Sequence, residues 1–247
     1  NTYAFEIPHN VKYLHYPGLK FESKIMSALD IVKTEFVALC ADDDFIIIDS
    51  LYIGCKILES NQDFKTIVGK YISFNADFNG EYYPLYKNIP EDINSSLEKN
   101  GELFFSNYYQ ILWGLYDIEV ISTAFQILEE ANFHNDNYIE IVIGAIACNS
   151  GGIKFINEIW GVRELSTEEH WGEKHTPILN MNIAEIKGDY KKLQDKLDKN
   201  TFDGCTEMIM SSYFVSNRKQ NDNLIRTLSK ILPNSLKGFL RKFIKVK

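Results

Sequence analysis

The chain has 247 residues, of which 45% are hydrophobic and 24% charged, a composition typical of a soluble globular protein. Its net charge of −8 at pH 7 argues against nucleic acid as a partner. No apolar run approaches the ~18 residues that a membrane-spanning helix needs, and no signal peptide opens the chain, so we expect a cytoplasmic protein.

The first part of the chain alternates helix-like and strand-like segments. Residues 24–32 carry apolar side chains at helical spacing, and the short apolar run 36–40 predicts a buried parallel strand. Asp49 is expected to cap a helix that continues to about Glu59. Residues 65–74 predict the next strand. This alternation predicts an α/β fold with a mostly parallel, doubly wound sheet and helices on both faces.

The second part begins with a polar, turn-rich segment over 75–107, which we interpret as a long insertion or loop. Beyond it the pattern predicts a strand over 111–116, helices over 118–131 and 137–149, and one or two strands over 154–163. From Ile183 the pattern is wholly helical, with segments near 183–198, 203–215 and 221–247. We therefore divide the chain into a domain over 1–180 and a C-terminal helical region over 181–247.

Three consecutive aspartates, Asp42, Asp43 and Asp44, follow the first predicted strand. Adjacent carboxylates repel each other and are costly to desolvate unless a cation neutralises them. On extended backbone Asp42 and Asp44 would point the same way and share a Mg²⁺ or Mn²⁺ ion that holds a diphosphate. The alternative is a solvated acidic turn. Apolar residues on both sides of the triplet favour the metal site.

These aspartates belong to a longer pattern. The run Val11-Lys12-Tyr13-Leu14-His15-Tyr16-Pro17 precedes a helix with Lys24, Ala28 and Leu29, and Thr34-Glu35-Phe36-Val37-Ala38-Leu39-Cys40-Ala41 then leads into the triplet. Together these segments resemble the central part of GT-A-fold glycosyltransferases of the family 2 type, whose DxD motif follows a strand in this way. The resemblance covers about residues 11–165.

The resemblance implies a GT-A-like, Rossmann-type sheet, a nucleotide-sugar donor and Mn²⁺ or Mg²⁺ as cofactor. It places Asp42 near the nucleotide ribose or the metal and Asp44 on the metal, and we count Asp43 among the donor-binding residues. Enzymes of this type usually open with a strand, a helix and a second strand that hold the nucleotide base. Only a short stretch precedes the Pro17-Gly18 turn here, so that unit is expected to be missing or to lie upstream of Asn1.

A second acidic group, Asp136-Asn137-Tyr138-Ile139-Glu140, precedes Gly151. In enzymes of the family 2 type an acidic pair opens a helix at a similar distance before a glycine, and its second acid is the general base. Glu140 matches that position, although Ile139 replaces the first acid, and Asp136 is the next candidate. A base is needed because a sugar hydroxyl is a poor nucleophile until its proton is removed. The alternative is a solvated Glu140 and an Asp136 helix cap.

A third group lies after the last predicted strand. Arg163 is a candidate phosphate-binding residue, and His170 or His175 is a candidate for completing the metal shell. The alternatives are a surface Arg163–Glu164 arrangement and ordinary loop histidines.

The last segment is strongly basic. From Leu224 onward the chain has seven Lys or Arg residues and no Asp or Glu. Apolar side chains of Leu236–Lys247 fall on one helical face and most basic ones on the other, which is typical of a helix lying on an anionic membrane. The alternative is a terminal helix packed on the domain or in a homodimer. The first interpretation places the protein at the inner face of the plasma membrane.

We therefore expect a metal-dependent, inverting enzyme that moves a sugar from a nucleotide-sugar donor to a glycan or lipid-linked hydroxyl in surface polysaccharide biosynthesis. One alternative is a nucleotidyltransferase on a similar scaffold, which would need a glycine-rich phosphate loop that is not visible in this chain. The other is a non-catalytic, glycosyltransferase-like assembly or glycan-binding module. Ile139 in place of the first acid, and the missing opening unit, favour that reading.

Overall fold

The computed structural model describes residues 10–74, 82–84, 88–106, 109–164, 183–199 and 202–203. Within them, the helices are α1 (Phe21–Leu29), α2 (Ile48–Ser60), α3 (Leu97–Ser106), α4 (Ile118–Ala131), α5 (Tyr138–Ser150) and α6 (Ile183–Lys196). The strands are β1 (Phe36–Ala38), β2 (Asp44–Ile46), β3 (Phe64–Phe74), β4 (Tyr83–Pro84), β5 (Leu115–Asp117) and β6 (Gly152–Glu164).

The strands form one sheet in the order β1-β5-β3-β6-β2, with β4 beside β3. Among the described strands the long central pair β3–β6 is parallel, and the other pairings are antiparallel. The α/β class expected from the sequence is confirmed, but the sheet is more mixed in direction than expected. The apolar pattern indicates where a strand lies, whereas its direction depends on how the connections run.

Helices cover both faces of this sheet, as expected. Leu115 of β5 packs against Gly54 of α2, where a Cβ atom would lie 3.1 Å from the Leu115 side chain. The next residue, Tyr116, is fully buried, and it lies near enough to Glu140 of α5 for that carboxylate to add to the rise in its pKa that burial causes. Because successive strand side chains point to opposite faces, α2 and α5 lie on opposite sides of the sheet.

Most residues of α5 are buried, and the helix packs against α3, α4 and the sheet. Ile141 and Ile143 have no exposed surface, and burying each such side chain contributes roughly 1.5–3 kcal/mol. Phe104 of α3 is also fully buried and lies so close to Gly144 that a Cβ atom there would overlap its ring. The expectation of a loop over 75–107 is therefore wrong for 97–106, where the buried Phe104 holds a helix on the core.

Other expectations differ in detail. Residues 10–16 are not a strand, although the turn at Gly18 forms with φ of +80°. Asp49 lies inside the first turn of α2 rather than capping it. The predicted helices over 203–215 and 221–247 and the basic tail Leu236–Lys247 fall almost wholly outside the described residues. In the part that is described, no helix has the length and apolar character needed to cross a bilayer.

Candidate functional site

The three aspartates lie at the beginning of β2. Asp42 and Asp43 are exposed and form a turn, and Asp44 is the first residue of the strand. The Asp44 amide donates to the Ala41 carbonyl at 3.3 Å, which closes the turn. The premise that Asp42 and Asp44 share one extended stretch is therefore wrong. A cation could still reach both residues, because Asp42 is exposed on the turn that leads into Asp44.

Asp44 differs from its neighbours because its side chain is only 6% exposed. Its Oδ2 atom lies 4.0 Å from Arg163 Nε, and the backbone of Glu164 also acts to lower its pKa. Its Oδ1 atom is buried and has no hydrogen-bond partner among the residues that the structure describes. Burial raises the pKa of Asp44, and the Arg163 guanidinium only partly opposes this. A buried carboxylate oxygen without a hydrogen-bond partner is costly, and a bound cation is one way to compensate that cost.

Arg163 connects Asp44 to the second acidic group. Its Nη1 atom donates to Gln110 Oε1 at 3.2 Å, and Gln110 Nε2 donates to Glu140 Oε1 at 2.8 Å. Glu140 is thus half-buried and hydrogen-bonded rather than a solvated helix residue. One polar chain therefore runs from the aspartate turn through Arg163 and Gln110 to Glu140.

The backbone explains why these residues meet. Arg163 lies opposite Asp44 in the β2–β6 register and opposite Ser73 in the parallel β3–β6 register. The site is therefore at the carboxyl ends of the two parallel strands, the edge where α/β sheets bind ligands. Since α5 leads into β6 through Gly151, its first turn, with Glu140, returns to the same edge.

The segment that presents Gln110 is held by the surrounding core. Tyr109 donates from its hydroxyl to the Gly69 carbonyl at 3.2 Å. The Trp113 carbonyl accepts from the Tyr71 hydroxyl at 2.6 Å and from Trp160 Nε1 at 2.9 Å. These bonds tie the segment to β3 and β6 on both sides of Gln110.

The structure brings together four of the predicted residues, Asp42, Asp44, Arg163 and Glu140, with Asp43 in the same turn. Asp136 lies just before α5, where its carbonyl accepts from the Ile139 amide at 3.0 Å. His170 and His175 lie outside the described residues. In the described ranges no group of three or more His, Cys, Asp or Glu side chains is arranged to hold a metal ion.

Sequence reasoning missed Gln110. The only signal was a single polar amide inside the aromatic and apolar run Tyr109-Gln110-Ile111-Leu112-Trp113. A polar residue in such a run needs a hydrogen-bond partner when it is buried. The identity of that partner follows only from the fold, because Glu140 and Arg163 are far away in the chain.

Comparison with solved structures gives a distant likeness. No family model matches the sequence, and no curated protein matches it. Among solved structures, the chain is similar to the crystal structure of S. aureus TarS 1-349, with 11% identity and a TM-score of 0.41. The match covers 79% of this chain and 53% of that one, so the chain spans about half the length of TarS 1-349. This likeness is too distant to indicate a function, which therefore depends on the side chains at the site.

Proposed function

We propose that this protein is a glycosyltransferase that moves a sugar from a nucleotide-sugar donor to a hydroxyl group of a glycan or lipid-linked acceptor. The observation that carries the proposal is the buried Asp44 carboxylate with its unpartnered Oδ1 atom, joined through Arg163 and Gln110 to Glu140. Asp44, a carboxylate that could bind a cation, and Glu140, a carboxylate that could act as a base, are thus joined by one chain of polar contacts.

The aspartates fit a divalent cation. Mg²⁺ and Mn²⁺ prefer oxygen ligands, and Asp44 offers a buried oxygen while Asp42 and Asp43 offer exposed carboxylates on the adjacent turn. We propose Asp42 and Asp44 as the protein ligands, with His170 or His175 as further candidates. When bound, the ion would neutralise the charge that develops on the leaving diphosphate.

Glu140 is proposed as the general base, and Asp136 remains the alternative. As the acceptor oxygen bonds to the anomeric carbon, its proton passes to the Glu140 carboxylate. The bond from the anomeric carbon to the donor phosphate breaks, and the nucleoside diphosphate leaves with the electron pair. Attack opposite the leaving group inverts the anomeric centre. Arg163 is proposed to contact a donor phosphate, since its side chain is 23% exposed and its guanidinium is suited to phosphate oxygens.

We also propose a type of acceptor and a location for the protein in the cell. A lipid-linked acceptor would be served by contact between the basic tail and an anionic membrane at the inner face of the plasma membrane. Only the amino-acid sequence of the tail supports this role.

Titration calorimetry with UDP, GDP and CMP, with and without Mn²⁺, tests the donor site. We expect one nucleotide to bind wild type in a Mn²⁺-dependent way, and Asp44→Ala to lose that binding. Asp30→Ala is the matched control, because Asp30 is an exposed aspartate at the end of α1. Absence of binding to wild type, or equal binding by Asp44→Ala, would contradict the proposed donor site.

The products of a turnover assay separate the alternatives. Release of a nucleoside diphosphate supports sugar transfer, whereas release of pyrophosphate identifies a nucleotidyltransferase. Binding without turnover on any acceptor indicates a non-catalytic module.

A further inference from the structure

We infer that Gln110 is a positioning residue, which fixes the Glu140 carboxylate and the Arg163 guanidinium relative to each other through the two ends of one side-chain amide. This inference rests on the proposed function. It assigns to the site a residue that is neither an acid, a base nor a metal ligand.

The first argument is that the two hydrogen bonds require a single orientation of the amide. The nitrogen of Gln110 faces the acceptor-only carboxylate of Glu140 at 2.8 Å, and its oxygen faces the donor-only guanidinium of Arg163 at 3.2 Å. A flipped amide would place donor against donor and acceptor against acceptor. The two charged partners therefore fix the amide, and the amide in turn fixes both partners.

The second argument is that the backbone of Gln110 is itself held. Tyr109 is bonded to β3, and Trp113 is bonded to Tyr71 of β3 and Trp160 of β6. A side chain on such a segment can hold a neighbouring group to the accuracy that catalysis needs, where a displacement of about 1 Å can cost about a hundredfold in rate.

The third argument concerns charge. Arg163 already faces Asp44, and a direct contact with Glu140 would favour the ionised form of that carboxylate and weaken it as a base. The neutral amide keeps the two charged groups apart while still bonding to both. Tyr116 also faces Glu140, from the sheet, and it is fully buried. Gln110 thus links Glu140 to Arg163 through a neutral group.

Two substitutions test this role. Gln110→Leu removes both hydrogen bonds at similar volume, and Gln110→Glu keeps the contact to Arg163 but sets a carboxylate against Glu140. The matched controls are Gln126→Leu and Gln126→Glu, because Gln126 Nε2 donates to Glu130 Oε1 at 2.9 Å on the exposed surface of α4. The measurements are kcat, the donor KM, the pH profile of kcat, and thermal unfolding of each variant.

For Gln110→Leu we expect kcat to fall about tenfold to a hundredfold and the donor KM to rise, because Glu140 and the phosphate-binding Arg163 both lose a hydrogen-bond partner. For Gln110→Glu we expect the acid limb of the kcat profile to move to higher pH, because a neighbouring carboxylate disfavours ionisation of the base. The Gln126 variants should behave like wild type. A merely structural role would lower kcat at every pH without moving that limb.

The possible failures are distinguishable. If wild type transfers sugar and the folded Gln110 variants match it in kcat and pH profile, the role of Gln110 is overturned and the proposed function stands. If folded wild type binds nucleotide but transfers nothing, the proposed function fails, and the role of Gln110 fails with it. If Gln110→Leu unfolds, the pH profile of Gln110→Glu decides.

Discussion

Two ion pairs lie at opposite ends of strand β3 and use their aspartates differently. At the start of β3, Lys65 Nζ is 2.7 Å from Asp117 Oδ2, and Asp117 Oδ1 accepts from the Glu119 amide at 3.0 Å and caps α4. At the other end, Asp44 is 4.0 Å from Arg163 and one of its oxygens has no partner in the described part of the chain. Both carboxylate oxygens of Asp117 have partners within the fold, whereas Asp44 Oδ1 has none among the described residues.

This difference shows that cavity volume and unsatisfied polar atoms indicate different places for a ligand. A cavity of about 230 Å³ opens beside Lys65 and Asp117, so volume alone would place a site there. The charged groups of that pair, however, already satisfy each other. A buried, incompletely partnered carboxylate with a raised pKa is the better indicator of function, and it lies at the Asp44 end.

The largest expected effect concerns the base at the Asp44 end. Glu140→Gln should lower turnover by about a hundredfold or more with little change in donor affinity, because a side-chain amide cannot take up the proton of the attacking sugar hydroxyl. Steady-state kinetics with calorimetry of donor binding checks this. Glu130→Gln, a change at an exposed glutamate bonded to Gln126 and Lys196, is the control. Unchanged turnover in Glu140→Gln would place the base elsewhere, with Asp136 tested next.

The next effect concerns the packing that supports that end. A Cβ atom on Gly161 would overlap the ring of Tyr71, whose hydroxyl is bonded to Trp113. Gly161→Ala should therefore lower the free energy of unfolding by about 1–3 kcal/mol. Urea unfolding measures it. Gly101→Ala in α3 is the control, since nothing lies within 4 Å of its added Cβ. Equal stability of the two variants would contradict this prediction and would show that the Tyr71 ring can move aside at little energetic cost.

The opposite end should affect stability and not activity. Asp117→Ala removes the cap of α4 and the partner of Lys65, so the free energy of unfolding should fall by about 1–2 kcal/mol. Nucleotide binding should stay as in wild type. Urea unfolding and calorimetry on the same sample check both expectations. Loss of binding in a folded Asp117→Ala variant would undo the distinction between the two ends.

The smallest effect is a pH-dependent one at Asp44. Burial raises the pKa of the folded carboxyl above its usual 3.8, so the folded state holds its proton more tightly than the unfolded state. Wild-type stability should therefore decrease as pH rises from 3.8 through the raised pKa, relative to Asp44→Asn, which cannot ionise. Urea unfolding across this range in EDTA checks it. A difference between wild type and Asp44→Asn that does not vary with pH would contradict the raised pKa.

The sequence by itself determined the elements whose apolar pattern is long and regular. The helix predicted over 118–131 matches α4, and the strand predicted over 65–74 lies within β3, because each buries one face or both against the core. It also singled out Asp44 through the aspartate triplet, whereas Glu140 was chosen because of the family resemblance. These local features depend on neighbours in the chain and can be read from it.

Only the tertiary structure decided how those residues work together. Gln110 lies 30 residues from Glu140 and 53 from Arg163, so no local pattern could link them. The burial of Asp44 depends on β2 pairing with the end of β6, and α3 exists where a loop was expected because Phe104 packs against Gly144. Long-range packing, and not local propensity, determines which polar atoms are satisfied and which remain for a ligand.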